Sequence, residues 1–316
     1  MTDVSVVVPT RDRAAFLMRT LATVAGQRGV DLEVIVVDDG SVDPRATLAA
    51  TDVAVGVRYL RHERPLGVSA ARNRGVDAAV GRWIAFLDDD DLWAPEKLSA
   101  QVGAAEDQGT AWAYTGDVNV DTHLRVLSGG PPSDPDAVMR DLARYNPIAS
   151  GASNVLVRKD VLDEVGGFDP SLRRTEDWDL WIRLARVGRP SCVARPLVAY
   201  TFHPANATAI AHEIVEEPRV LASRYGIAVD GAAMQRRAAW VSLRAGRRWA
   251  AARRYASAVA LGDLRSIGRA AVALTYPGIG GDGVFRLLPR DPAWVRDAES
   301  WLVEIAGALV EGSPRR

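Results

Sequence analysis

Apolar and polar positions alternate in blocks that predict strands and helices in turn over the first part of the chain. Val4–Val8 is a nearly unbroken β-branched run stopped at Pro9, the pattern of a strand buried on both faces. Residues 14–27 carry Leu17, Leu21 and Val24 at helical spacing. Leu32–Val37 repeats the strand pattern and stops at Asp38-Asp39-Gly40-Ser41, residues that favour a turn. Val57–Leu60 predicts a third strand and Ser69–Val80 a helix rich in Ala and Arg. Trp83–Leu87 predicts a fourth strand, stopping at Asp88-Asp89-Asp90-Asp91. Strands alternating with helices predict an α/β layer around a mostly parallel sheet.

Such sheets bind ligands at the carboxyl ends of their strands. Three of the four predicted strands end there in polar or charged clusters: Pro9-Thr10-Arg11, Asp38-Asp39 and Asp88 to Asp91. The pattern therefore places a site along one edge of the sheet.

Beyond residue 110 the pattern is less regular. Ala111–Val118 and Asn154–Val157 predict strands, Ser128–Asp136 a loop, Lys159–Val165 a helix closed by Gly166-Gly167, and Asp177–Val187 a strong helix. A last short strand, Val198–Phe202, leads to His203. From about residue 230 the chain is rich in Ala and Arg, with breaks at Gly262, Pro277 and Gly278, and predicts two to four packed helices. The expected organisation is an α/β domain over residues 1–225 and a helical, Arg-rich extension over residues 226–316.

Composition narrows the class. The 316 residues are 48% apolar and 25% charged, which excludes a disordered or fibrous chain. No run of eighteen apolar residues occurs and no basic segment opens the chain, so a cytoplasmic protein is expected. The one cysteine, Cys192, excludes an internal disulfide and a multi-cysteine metal site, and reads as a small buried hydrophobe. Residues 231–316 carry fourteen Arg against seven Asp or Glu, a net +7, which leaves −8 of the overall −1 to the first 230 residues. An acidic front argues against a nucleic-acid partner and for a bound cation.

Four consecutive aspartates repel one another unless something cationic sits among them. Asp91 suits the cap of a helix starting near Pro95, but a turn does not need four acids. If alternate members point the same way, Asp88 and Asp90 present carboxylates to one divalent ion, and all-oxygen ligation suits Mg²⁺ or Mn²⁺.

Taken together, these residues resemble family 2 glycosyltransferases. The resemblance rests on Val4-Ser5-Val6-Val7-Val8-Pro9-Thr10-Arg11, Val36-Val37-Asp38-Asp39-Gly40-Ser41, Gly67 with Ala71-Arg72-Asn73-Arg74-Gly75, and Phe86-Leu87-Asp88-Asp89-Asp90-Asp91. It continues through Gly166-Gly167-Phe168-Asp169, Glu176-Asp177-Trp178-Asp179-Leu180-Trp181, and His203 with Asn206. It implies an α/β GT-A fold, the nucleotide-diphospho-sugar transferase architecture: a Rossmann-like mixed sheet flanked by helices, here with a C-terminal helical extension. It also implies a metal-dependent, inverting transfer of a sugar from a nucleotide-diphosphate donor, with UDP the first expectation. Pro9, Arg11, Asp39 and Arg72, with Asp88 and Asp89, are implied donor-binding residues, and Asn73 faces the nucleotide beside Arg72. Asp88, Asp90 and His203 are implied holders of Mn²⁺ or Mg²⁺. Asp177 is implied as catalytic base, with Glu176 supporting it. The plain alternatives are that Asp38 closes a turn, that Arg72 lies on a solvated helix face, that the dipole of its own helix accounts for Glu176 and Asp177, and that Trp178 and Trp181 are core. His62, His123 and His212 read as structural.

Two other functions are weighed. A sugar nucleotidyltransferase carries a Gly-rich phosphate loop after its first strand, whereas Pro9-Thr10-Arg11-Asp12-Arg13 has no glycine. A non-catalytic sugar-nucleotide-binding or scaffold protein has no need of both acidic clusters. The acceptor (glycan, natural product, peptide or lipid-linked sugar) is left open. The arginines of the tail suit an anionic membrane surface, a soluble cap, or a grip on a peptide or small acceptor. The cap is preferred because Ala dominates and bulky apolar anchors are few, so peripheral membrane contact is not the favoured expectation.

Overall fold

The structure, a computed structural model, describes residues 2–54, 56–203, 213–275 and 290–311. Its strands are β1 (Val4–Thr10), β2 (Leu32–Asp38), β3 (Val57–Arg61), β4 (Trp83–Phe86), β5 (Leu92–Trp93), β6 (Trp112–Asp121), β7 (Val126–Gly129), β8 (Val155–Arg158) and β9 (Ser191–Phe202). The helices of the α/β part are α1 (Ala14–Ala25), α2 (Pro44–Ala50), α3 (Val68–Ala78), α4 (Lys97–Gln108), α5 (Pro135–Asp141), α6 (Lys159–Val165) and α7 (Glu176–Val187). They are followed by α8 (Glu213–Glu216), α9 (Pro218–Tyr225), α10 (Gly231–Arg244), α11 (Arg248–Ala260), α12 (Ser266–Thr275) and α13 (Pro292–Glu311).

The strands form one sheet in the order β3-β2-β1-β4-β8-β6-β9-β5, with β7 on β6. β1 to β4 run parallel, as the alternating pattern predicts, and β8 pairs antiparallel with both β4 and β6. The sheet is therefore mixed. Alternate side chains of each central strand enter opposite cores, as the two-residue strand period requires. Val4, Val6, Val8, Val34, Val36, Trp83 and Ala85 pack with Leu17, Leu21 and Val24 of α1 and Leu98 of α4. Val7, Ile35, Val37, Ile84 and Phe86 pack on the other face with Ala71 of α3, Leu162 of α6 and Trp181 of α7. Burial on both faces is why these strands read as continuous apolar runs.

The expected strands and helices are present with ends shifted by a few residues, except that β9 begins seven residues earlier than predicted. Its start was masked in the sequence by Arg195 and Pro196, where its register against β6 is broken. Lys159–Val165 is found with the predicted ends. α2, α5 and the short strands β5 and β7 were not foreseen, because two to seven residues carry too little periodicity to register.

Trp178 and Trp181 are buried core residues. Cys192 is half-buried, and burial pushes its thiol up from the ordinary value. Beyond α9, α10 to α12 pack together through Leu243, Ala251, Tyr255 and Ala273 and against Phe202 of β9. α13 returns to the sheet. Its Trp294, Ala298, Trp301 and Leu302 lie on Val118, Val120, Leu197 and Ala199, and its Trp301 indole donates to the Pro196 carbonyl at 2.8 Å.

Candidate active site

The carboxyl ends of β1, β2 and β4 meet the start of α7 and the end of β9. At the end of β2 the two aspartates separate. Asp38 is fully buried and accepts from Tyr59 Oη at 2.6 Å, Arg61 Nη1 at 2.8 Å and the Ser41 amide at 2.7 Å. Burial alone would raise its carboxyl, but these donors bring it below the ordinary carboxylate value.

Asp39 closes a loop instead. Its Oδ1 lies 2.8 Å from His62 Nδ1 and accepts from the Leu66 amide, and its Oδ2 accepts from the Gly67 amide. Gly40, at φ +76°, lets this loop approach, since a Cβ there would stand 2.8 Å from the backbone of Arg64 and Pro65. His62 was read as structural in the sequence. It follows the carboxyl end of β3 and holds Asp39, in keeping with that reading.

Beyond Phe86 the chain makes a turn, with the Asp91 amide donating to the Asp88 carbonyl. The strand alternation that would aim Asp88 and Asp90 the same way has ended. Asp88, a third exposed, accepts from Arg72 Nη2 at 2.6 Å. Asp89 accepts from Thr10 Oγ1 at 2.6 Å and from Arg13 Nη1 at 3.2 Å. Burial and the charge of Asp90 push the Asp89 carboxyl up to about 7. Asp90 Oδ2 accepts from Arg13 Nη1 at 2.7 Å and lies 2.9 Å from His203 Nε2, whose ring stacks on Phe16. Asp91 does not cap α4, which begins at Lys97. Its carboxylate is buried against Ser153 Oγ at 2.6 Å and the Thr201 amide at 3.1 Å.

Arg72 does not lie on a solvated face. It is buried, reaches Asp88 on one side and Glu176 Oε1 at 3.2 Å on the other, and sits 5.0 Å over the Phe168 ring. Asn73, expected to face the nucleotide, instead exchanges two 2.8 Å hydrogen bonds with the backbone of Phe168. Pro9 is buried in β1 and Arg11 is exposed beside Asp12.

Glu176 opens α7. Its Oε2 is buried without a hydrogen-bond partner among the described residues. Burial, then the adjacent Asp177 charge, pushes its carboxyl up to about 7 against the pull of Arg72. Asp177 is half-buried. Its Oδ1 accepts from the Trp178 amide at 2.7 Å and its Oδ2 from Asn146 Nδ2 at 3.1 Å. Burial raises its carboxyl, while Arg237 of α10 counteracts the rise. The structure thus brings Asp88, Arg72 and Glu176 into one connected chain and groups Asp89, Asp90, Arg13 and His203 in another. Arg13 was named in the sequence only because the loop it closes lacks glycine, and it was given no role there.

A doubly covered α/β sheet with acids and arginines gathered at its strand ends is an architecture that binds ligands along that edge. A family profile described as "Glycosyl transferase family 2" matches residues 5–166. The chain belongs to that family. It is 32% identical over 222 residues to succinoglycan biosynthesis protein ExoO of Rhizobium meliloti, covering 64% of this chain and 60% of that protein. It is 28% identical to the putative teichuronic acid biosynthesis glycosyltransferase TuaG of Bacillus subtilis, over 58% of this chain and 73% of that one. The chain spans about 60% of the length of the first curated relatives it matches. Its fold is similar to that of S. aureus TarS 1–349 in complex with UDP-GlcNAc, with a TM-score of 0.55 and 16% identity over 100% of this chain and 93% of that one. The GT-A expectation is met.

Proposed function

We propose that this protein transfers a sugar, with inversion, from a nucleotide-diphosphate donor to an acceptor nucleophile, and that UDP is the nucleotide. The observation that carries the reading is the meeting, at one sheet edge, of the two acidic clusters from Asp88–Asp90 and Glu176-Asp177 around the buried Arg72. The fold shared with TarS, whose structure holds UDP-GlcNAc, supports the choice of donor. Asp39, Pro9 and Arg11 border the nucleotide end in this reading. Arg72 offers its charge beneath the diphosphate and keeps Asp88 in place.

Among the described residues no three acidic or histidine side chains converge as a closed metal site. Asp90 and His203 do converge, at 2.9 Å. A carboxylate with donor phosphate oxygens suits Mn²⁺ or Mg²⁺, and the imidazole favours Mn²⁺, the softer of the two. Asp90 and His203 would hold the ion and Arg13 would share the Asp90 carboxylate, whereas Asp88, paired with Arg72, would stand outside it. When bound, the ion would neutralise charge growing on the departing nucleotide.

Asp177 accepts the acceptor's proton in this reading. Asn146 and the Trp178 amide hold its two oxygens in place, and burial makes it a stronger base than a free aspartate. A second reading gives that role to Glu176, favoured by its unpartnered Oε2 and its carboxyl near 7.

A panel of nucleotide sugars, scored by thermal shift with and without Mn²⁺ and by product mass, tests the function. Binding at a hundredfold excess over Kd stabilises by about 2.7 kcal/mol, well within reach of a melt. UDP-sugars should shift the melt and, with the right acceptor, release UDP. If no nucleotide sugar shifts it, the proposal fails.

A further inference from the structure

α12 turns an apolar face to solvent. Ile267, Ala271 and Leu274, at helical spacing, are all exposed, whereas Ser266 and Ala273 on its other side are buried against α10 and α11. Leu264, one turn earlier, is 69% exposed and continues the stripe, and Leu261 lies beside it at 58%. At the far end stands Trp249, 75% exposed. Arg248 ties this first turn of α11 to the last turn of α12, donating to the Ala273 carbonyl at 2.9 Å and the Leu274 carbonyl at 2.6 Å. Leu243 and Tyr255 of this segment turn inward, whereas Trp249, Leu261, Leu264, Ile267 and Leu274 are left outside.

The charge around the stripe is one-sided. From Gly231 to Thr275 the chain holds nine Arg and one acid, Asp263. That acid is already engaged by Arg236 at 2.9 Å and Ser266 at 2.6 Å. Arg247, Arg253, Arg265 and Arg269 are exposed. A second copy of the chain is a poor occupant, because a symmetric contact would set this cationic segment against itself. A surface that is apolar beneath and anionic at its rim matches both features. No helix among the described residues is long and apolar enough to cross a membrane, so the contact would lie in the plane of the interface.

We propose that the α11–α12 hairpin docks on an anionic lipid bilayer, with Leu264, Ile267, Leu274 and Trp249 entering the headgroup–acyl boundary and the neighbouring arginines meeting lipid phosphates. The inference stands apart from the transfer chemistry, since none of these residues belongs to the candidate active site.

The test is sedimentation of the full chain with vesicles of phosphatidylcholine containing one-third phosphatidylglycerol, against vesicles of phosphatidylcholine alone. The protein should pellet with the first and stay in solution with the second, and raised salt should release it. Arg253→Gln with Arg265→Gln should weaken partitioning about thirty-fold, at roughly five-fold per arginine near an anionic surface. Leu264→Asn with Ile267→Asn should weaken it about tenfold or more at fixed salt. Both pairs are exposed, so unchanged melting temperatures should accompany the loss. The proposal is overturned if the wild-type chain ignores anionic vesicles. It is equally overturned if binding survives loss of Leu264 and Ile267, which would indicate attraction to any polyanion, or if those changes instead abolish a dimer seen by light scattering.

Discussion

Arg72 Nη2 donates to Asp88 Oδ1 at 2.6 Å from inside the protein, and its Nη1 reaches Glu176 on the far side. One buried guanidinium therefore spans the end of β4 and the start of α7, elements more than eighty residues apart in sequence. Burial opposes its charge, and Asp88 and Glu176 more than restore it. Arg72→Gln would remove the cation while leaving the two acids facing each other. Breaking a buried pair on one side costs on the order of 3–5 kcal/mol, and Asp88 is partly solvated, so about 3 kcal/mol is expected. Urea denaturation measures it. A variant as stable as wild type would mean that the bridge contributes nothing net.

Glu176 makes stability fall as pH rises. Its folded carboxyl is raised to about 7 from the ordinary 4.5, so the folded state holds the proton more tightly than the unfolded chain. Between those values the unfolded state ionises first, and the contribution present at low pH is lost as pH climbs towards about 7. Glu176→Gln imitates the protonated form at every pH. The variant should match wild type near pH 5 and melt higher than wild type above pH 7. Parallel melting curves for the two proteins across that window would contradict the assignment.

Gly75 lets α3 lie against β1 and so aims Arg72. A Cβ there would stand 2.3 Å from Val7 Cγ1, and Val7 is buried in the central strand with no room to yield. Overpacking of this kind costs about 1–3 kcal/mol. Gly75→Ala should lose stability in that range despite the better helix propensity of Ala. It should also weaken donor binding, because the helix that carries Arg72 must move outward. An unchanged denaturation midpoint would show that the sheet absorbs the methyl.

Much of this was legible in the chain. The runs at Val4–Val8 and Leu32–Val37 announce buried parallel strands because both faces of the sheet are covered. Their polar stops announce the site because such sheets bind at strand ends. What could not be read was the direction of individual side chains. Asp88 and Asp90 take different partners because the strand has ended and a turn intervenes, and Asn73 clamps the Phe168 backbone, 95 residues away in sequence. Tertiary packing decides these orientations. Lys97 shows the same limit: nothing in its neighbourhood in sequence marks it as buried, yet its Nζ lies 3.8 Å from the centre of the Trp93 ring. Arg13 was given no role for a related reason, since its partner Asp90 lies 77 residues away.

Asp90 carries the proposed metal dependence. It lies within contact of His203 and Arg13, and an amide in its place keeps the shape but loses the charge that a dication needs. Asp90→Asn should bind donor no better with Mn²⁺ than without it, while wild type should bind more tightly with the ion. Calorimetry with and without chelator reads the difference. Equal donor affinity of the wild-type protein in excess chelator would remove the metal from the mechanism.

Asp177 separates binding from chemistry. A general base acts as the acceptor oxygen attacks, after donor is bound by other residues, so Asp177→Asn should leave donor affinity near wild type and cut turnover. General acid–base groups contribute about 10²–10⁴-fold, and the loss should fall in that range. The amide keeps an oxygen to accept from Asn146 or the Trp178 amide, so the start of α7 should hold and the melt should stay within a few degrees of wild type. Glu176→Gln is the matched control, because it removes the neighbouring carboxylate that Arg72 holds. If Glu176→Gln abolished turnover while Asp177→Asn ran at near wild-type rate, the base would be Glu176, and the unpartnered Oε2 would be the atom that takes the proton. If both variants turned over normally, neither acid at the start of α7 would be the base, and the acceptor's proton would have to leave by another route.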